Sequence, residues 1–172
     1  MFDTMVIATD GSASVRRAVR VSLDLAERFD ATVHALYVID AGDVETAPER
    51  LRDEMREALT ERGEEALAEV QAETERDVTV AVREGRPAAE ISNYAREVDA
   101  DAVAMGTRGR HGESRFLIGS VAERVVRSCP VPVLTVRQLD TETDDPLLDS
   151  EGESEAEPEA EAETETETEE AA

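Results

Sequence analysis

Short apolar runs alternate with longer stretches whose apolar residues recur every three or four positions, from Met5 to Val136. Met5-Val6-Ile7-Ala8 is a continuous apolar run followed by Asp10-Gly11-Ser12. A run of that length closed by a turn and cap predicts a buried parallel strand feeding a helix. Val15, Ala18, Val19, Ser22, Leu25, Ala26 and Phe29 then return at helical spacing, while Arg16, Arg17, Arg20, Glu27 and Arg28 fall mainly on the other face. The pattern predicts a first helix ending near Asp30. Thr32 to Ile39 reads as the second strand, closed by Asp40-Ala41-Gly42, with a loop after it.

Pro48 opens a long amphipathic helix with apolar positions at Leu51, Met55, Leu59, Ala66 and Val70. Gly63 in its middle costs about 1 kcal/mol of helix propensity. Val78, Val80 and Val82 alternate with Thr79 and Ala81, a period of two that suits a strand near the sheet edge. Gly85-Arg86-Pro87 turns the chain, Pro87 fits the first position of a helix, and Ile91, Ala95 and Val98 make its buried stripe. Asp101 to Met105 predicts a fourth strand, Ser120 to Ser128 a helix, and Val131 to Val136 a fifth strand. Pro132 lacks a ladder N–H and puts that last strand at an edge.

Five strands joined by four helical crossovers predict an α/β fold: a doubly wound, mostly parallel sheet with helices on both faces. Ligands of such sheets sit beyond the strand C-termini at the topological switch point. Chemistry is therefore expected after Ala8, Ile39 and Met105.

Charge divides the chain. Of 172 residues, 42 are acidic and 18 basic, for a net charge of −24. Through Arg137 there are 26 acidic and all 18 basic residues; residues 138–172 add 16 acidic and no basic ones. In that last segment the large apolar residues are Leu139, Leu147 and Leu148, and Thr-Glu alternation runs from Glu163 to Glu169. Such a stretch buries too little apolar surface to offset chain entropy, so residues 1–137 are expected to be the folded domain and 138–172 an acidic disordered tail. The tail reads as a docking segment for a basic partner or as a solvating appendage. The acidic excess argues against nucleic acid or an anionic membrane as a partner.

Every basic residue is arginine. This excludes Schiff-base chemistry and the phosphate-reaching lysine of a P-loop ATPase. Carboxylate excess without lysine reads as adaptation to high salt, or as drift in a GC-rich genome. One cysteine, Cys129, and two histidines, His34 and His111, are too few for an internal disulfide or a structural zinc site. No apolar run approaches the roughly 20 residues of a membrane span, and Met1-Phe2-Asp3-Thr4 lacks a basic leader, so a cytoplasmic location is expected.

The segment after the fourth strand, Met105 to Ser120, concentrates Gly106, Gly109, Gly112 and Gly119 with Arg108, Arg110, His111 and Arg115. Glycine admits close backbone approach and positive φ, and Gly119-Ser120 would present N–H groups and a hydroxyl at a helix start. The segment is an anion seat or a surface loop broken by glycines. Asp10, a short acceptor at a strand end, suits ribose hydroxyls, or it closes an Asx turn.

The spacing Gly106-x2-Gly109-x9-Gly119-Ser120 resembles the ATP-binding motif of the universal stress protein family. Ala8-Thr9-Asp10-Gly11-Ser12, Tyr37-Val38-Ile39-Asp40, Gly85-x-Pro87-x3-Ile91 and Cys129-Pro130-Val131-Pro132-Val133-Leu134 resemble other segments of that family. The resemblance covers Met1 to about Arg137. It implies a Rossmann-like sheet of strand order 3-2-1-4-5 and an ATP site. There Asp10 would meet the adenosine end, backbone groups near Val38 the adenine edge, and Gly106, Gly109, Gly119 and Ser120 the phosphates. Thr107 has a smaller claim, Arg108, Arg110 and Arg115 would join if the loop folds over the ligand, and Mg2+ or Mn2+ would accompany the phosphates. The family also implies a homodimer through the last strand. The expected role is a cytoplasmic regulatory or stress-protective module whose client is not readable. A slow ATPase or phosphotransferase using Asp10 or Ser120, and a nucleotide-independent dimeric interaction module, are the alternatives. His34 reads as a packed strand residue, Cys129 as a small buried hydrophobe.

Overall fold

The structure is a computed structural model and describes residues 2–109 and 118–139. Its described strands are β1 (Thr4–Thr9), β2 (Thr32–Asp40), β3 (Val78–Gly85), β4 (Ala102–Gly106) and β5 (Val133–Val136). All pair in parallel, in the order β3-β2-β1-β4-β5. This is the doubly wound sheet expected from the apolar runs. The helices are α1 (Arg16–Phe29), α2 (Ala41–Thr46), α3 (Arg52–Ala72), α4 (Pro87–Glu97) and α5 (Ser120–Ser128).

Successive strand side chains point to opposite faces, so each central strand feeds two cores. Met5, Ile7, Val33, Ala35 and Tyr37 pack with Val19, Leu23 and Ala26 of α1 and with Leu67 and Val70 of α3. Val6, Ala8, Leu36, Val103 and Met105 pack on the other face with Ile91, Tyr94 and Ala95 of α4 and Ala122 and Val125 of α5. β1 and β4 are buried along almost their whole length, which is why they read as unbroken apolar runs. A carboxylate fastens their N-terminal ends: Asp101 Oδ2 accepts the N–H groups of Asp3 (2.7 Å) and Thr4 (2.9 Å). The bonds from Thr4 and then Asp3 hold its pKa below the usual carboxylate value.

Several local expectations change. The segment after Asp40 is not a loop: α2 forms there, with the Asp40 carboxylate accepting from Gly42 N–H at 2.9 Å and Val44 buried. Pro48 does not start the long helix; a 3-10 turn, Glu49–Leu51, comes first. Leu51 and Met55 remain exposed, and the buried stripe of α3 is Gly63, Ala66, Leu67 and Val70. In α1, Leu23 is buried whereas Phe29, in the last turn, is exposed and meets the Phe2 ring in a tilted arrangement at 5.5 Å between centroids. Pro132 precedes β5, where its carbonyl accepts from Val103 N–H at 2.9 Å. β3 and β5 are the two edges, as the alternation at Val78–Val82 and Pro132 imply.

Candidate functional site

Crossovers leave in opposite directions from β1 and β4, so a crevice opens beyond their C-terminal ends. A cleft of about 290 Å³ occupies it, close to the lower end of small-ligand sites, about 300 Å³. Its floor is the open end of the α4/α5 core: Ala8, Leu36, Val38, Met105, Ile91 and Ala122, with Pro87 at the side. Thr9, Asp10 and Val15 line it from the β1 turn, Asp40 and Asp43 from the start of α2, and Gly106 to Gly109 with Gly119 to Val121 from the β4–α5 side.

Asp10, Val38, Gly106, Thr107, Arg108, Gly109, Gly119 and Ser120, singled out in the sequence, thus lie on one cleft. Arg110, together with His111 and Arg115, falls outside the described residues. Sequence reasoning missed Asp40 and Asp43 as cleft residues. Their signal was available, since both follow immediately on the strand whose C-terminal end had been singled out. His34 is not on the cleft wall. Its Nδ1 lies 3.1 Å from the Tyr94 hydroxyl, and burial lowers its pKa.

β2 outruns β1. Pairing with β1 ends at Thr9 opposite Tyr37, while pairing with β3 continues through Asp40 opposite Gly85. The backbone from Val38 onward therefore has no β1 neighbour on the cleft side. A strand edge beside an apolar floor suits a flat heteroaromatic ring with donors and acceptors on its rim.

Asp10 forms the Asx turn that the sequence left open: its Oδ1 accepts from Ser12 N–H at 2.9 Å. Gly11, next in line, needs its freedom, with φ at +71° and no room for a Cβ, which would meet that of Ala66 at 2.9 Å. The glycines of the β4–α5 segment behave differently. Neither Gly106, Gly109 nor Gly119 has positive φ; among the described residues the positive-φ glycines are Gly11 and Gly85. A Cβ on Gly106 would meet Val15 Cγ1 at 2.9 Å and the Arg108 carbonyl at 3.0 Å, and one on Gly119 would lie 3.3 Å from the Thr107 carbonyl. Close packing, rather than backbone conformation, excludes side chains at these positions.

Hydrogen bonding also sorts the donors. Thr107 N–H donates to the Val136 carbonyl (3.0 Å), and Gly119 N–H to the Thr107 carbonyl (2.7 Å), so both are spent within the protein. The expectation of a free N–H at Gly119 is corrected accordingly. Gly119 caps α5 in an extended conformation with no side-chain cap, and the first intrahelical partner of its carbonyl is Glu123 N–H at 2.9 Å. The N–H groups of Ser120, Val121 and Ala122 make up the unsatisfied first turn, at the positive end of the helix dipole. Arg108, whose Cα would lie 3.6 Å from a Cβ on Gly119, has its Nε buried with no hydrogen-bond partner among the described residues. A buried donor without an acceptor costs roughly 1–3 kcal/mol, which an incoming anion would recover. Among the described residues no group of three or more His, Cys, Asp or Glu side chains is placed to hold a metal ion. No helix among them is long and apolar enough to cross a membrane.

The family model that matches residues 1–137 is that of the universal stress proteins. Universal stress protein MJ0531 of Methanocaldococcus jannaschii is 38% identical over 142 residues, which cover 80% of this chain and 84% of the relative. Among solved structures, hypothetical protein MJ0577 superposes with a TM-score of 0.68 at 25% identity, over 82% of this chain and 99% of that one. A universal stress protein solved in complex with cAMP gives a TM-score of 0.58 at 26% identity, over 79% and 97% of the two chains.

Proposed function

The chain belongs to the universal stress protein family, and from that premise we propose that it binds ATP in the cleft beyond β1 and β4 and serves as a cytoplasmic regulatory or stress-protective nucleotide-binding module. The observation that carries the reading is the partnerless Nε of Arg108 on a cleft whose floor is apolar. The adenine lies on Leu36, Met105 and Ile91 with its edge toward the backbone of Val38. Asp10 accepts ribose hydroxyls. Arg108 and the first turn of α5 at Ser120 receive the phosphates, and Gly106 and Gly119 keep that wall close. The solved relative in complex with cAMP supports an adenine nucleotide as the class of ligand.

Asp10, Asp40 and Asp43 face the same cleft as the single described guanidinium of Arg108, so a triphosphate meets more negative than positive charge. Mg2+ or Mn2+ held through the phosphate oxygens offsets that repulsion, and the divalent ion arrives with the ligand. Homodimerisation through the open edge of β5 and a folded domain of residues 1–137, with 138–172 as a solvating acidic appendage suited to high salt, complete the reading. Calorimetry tests it. ATP with Mg2+ is expected to bind, Arg108→Ala to weaken ATP about tenfold while sparing adenosine, and chelation of the divalent ion to weaken ATP in the same direction. Adenosine and ATP binding equally well in the wild type, or neither binding, overturns it.

A further inference from the structure

Gly109 is the one glycine of the cleft wall whose missing side chain faces a ligand-binding group rather than a packing joint. A Cβ built there would lie 2.6 Å from Asp10 Oδ2, with Asp10 Cγ next at 3.6 Å. That is well inside ordinary van der Waals separation, about 3.5 Å for heavy atoms. The backbone of Gly109 is not left-handed, so alanine is conformationally acceptable and only the space is lacking. The other oxygen of the same carboxylate, Oδ1, is held by Ser12 N–H at 2.9 Å. One oxygen of Asp10 thus takes a hydrogen bond from its own turn, while the other lies directly beside the bare Cα of Gly109.

We propose that Gly109 is a positioning residue for Asp10: its missing side chain holds the carboxylate in place for the ribose hydroxyls, so this glycine serves the nucleoside end of the ligand and not the phosphates. The proposal rests on the ATP reading above and sharpens it. The obstructed atom is the tip of a short side chain, whereas at Gly106 it is a valine branch and a backbone carbonyl. A methyl group at position 109 therefore displaces the carboxylate and leaves the fold standing. Swinging Oδ2 away rotates the whole carboxylate, so the bond from Ser12 lengthens or breaks.

The test uses Gly109→Ala, Asp10→Ala and the double variant of the full chain, with adenosine and ATP–Mg2+ as probes. Gly109→Ala is expected to weaken adenosine and ATP by the same factor, about tenfold, the loss associated with hydrogen bonds to a charged acceptor. In the Asp10→Ala background the same substitution is expected to do nothing further, since the group it displaces is gone. In ligand-free protein, the Ser12 amide resonance is expected to move in Gly109→Ala as it does in Asp10→Ala. Loss of ATP affinity with adenosine unchanged assigns Gly109 to the phosphates and overturns the proposal; so do additive losses in the double variant. A Ser12 amide unmoved by Gly109→Ala in a nucleotide-binding protein removes the contact and leaves the ATP reading intact. A wild type that binds neither probe removes the ATP reading, and with it the role given to Gly109.

Discussion

Replacing Gly63 by alanine sets two calculable effects against each other. Gly63 lies in the fourth turn of α3, well inside the helix, where glycine costs about 1 kcal/mol relative to alanine, so propensity alone says that Gly63→Ala stabilises. The packing says otherwise. The added Cβ would stand 2.7 Å from Tyr37 Cδ1 and 3.1 Å from both Cε1 and Cγ, against the edge of a ring that is fully buried. Overpacking of a tight core costs typically about 1–3 kcal/mol, and a rigid ring held between β2 and α3 has little room to yield. The balance is a net loss of about 1 kcal/mol, which for a domain of this size lowers the melting temperature by roughly 3–5 °C. Urea denaturation read by circular dichroism measures it, with Tyr37→Leu as the second arm of a double-mutant cycle. Removing the ring removes the obstruction, so in that background Gly63→Ala should stabilise. Stabilisation of the wild type by Gly63→Ala refutes the reasoning, because it means that Tyr37 moves aside at no cost. Tyr37 precedes Val38, so a strained ring is also expected to weaken adenosine binding while leaving secondary structure unchanged.

Burial lowers the pKa of His34, so the unfolded chain takes up its proton first as pH falls below about 6.5; stability from this group is intact above that value and declines as pH drops through the lowered folded value. Its ring meets Tyr94, over which Arg83 lies at 5.3 Å, itself paired with Glu97 at 2.6 Å. His34→Gln should therefore flatten the fall in urea midpoint between pH 7 and pH 5 relative to wild type, and an unchanged slope counts against a buried neutral imidazole. The open edge of β5, with Val133, Leu134 and Thr135 only partly covered and Val126 of α5 half exposed, should pair with a second copy. Light scattering is expected to give twice the chain mass of 18.7 kDa, and a monomer in both dilute and concentrated salt overturns the dimer.

The strand–helix alternation was legible because β1 and β4 are buried on both faces and so read as unbroken apolar runs. The site was legible for the same topological reason: with parallel strands, Asp10, Val38 and the residues after Met105 must come out at one end of the sheet. α2 was not legible, since six residues with a single buried side chain, Val44, give no period to detect. On the helical wheel Phe29 falls within the buried stripe of α1 and Leu23 at its flank, about 120° away, so the wheel favours the wrong one of the two, and only the point at which α1 leaves the sheet decides which is covered. The largest gap concerned what each glycine does. Spacing marks a position as too narrow for a side chain without saying what narrows it. At Gly63 it is an aromatic ring, at Gly106 a valine and a carbonyl, at Gly109 a carboxylate.

That distinction changes how a strongly acidic chain can hold a polyanion. Net charge of −24 would repel ATP if all charges acted together, but at physiological ionic strength they are screened beyond about 8 Å. What counts is the wall itself, and there the charges are arranged along the cleft. Asp40 and Asp43 stand by the end of β2, where the base is proposed to lie, and Arg108 lies beside Gly119 at the start of α5, where the phosphates would be. Under the ATP reading, a ligand entering phosphates-first toward β2 would meet two carboxylates, whereas the reverse orientation would bring its charge to Arg108, whose Nε has no partner among the described residues, and to helix N–H groups. The acidic residues at the base end would thereby disfavour the wrong orientation while Arg108 favours the right one. Packing the β4 loop against Asp10 through Gly109 keeps a third carboxylate between these two ends, where a ribose has hydroxyls to offer it and no charge to repel.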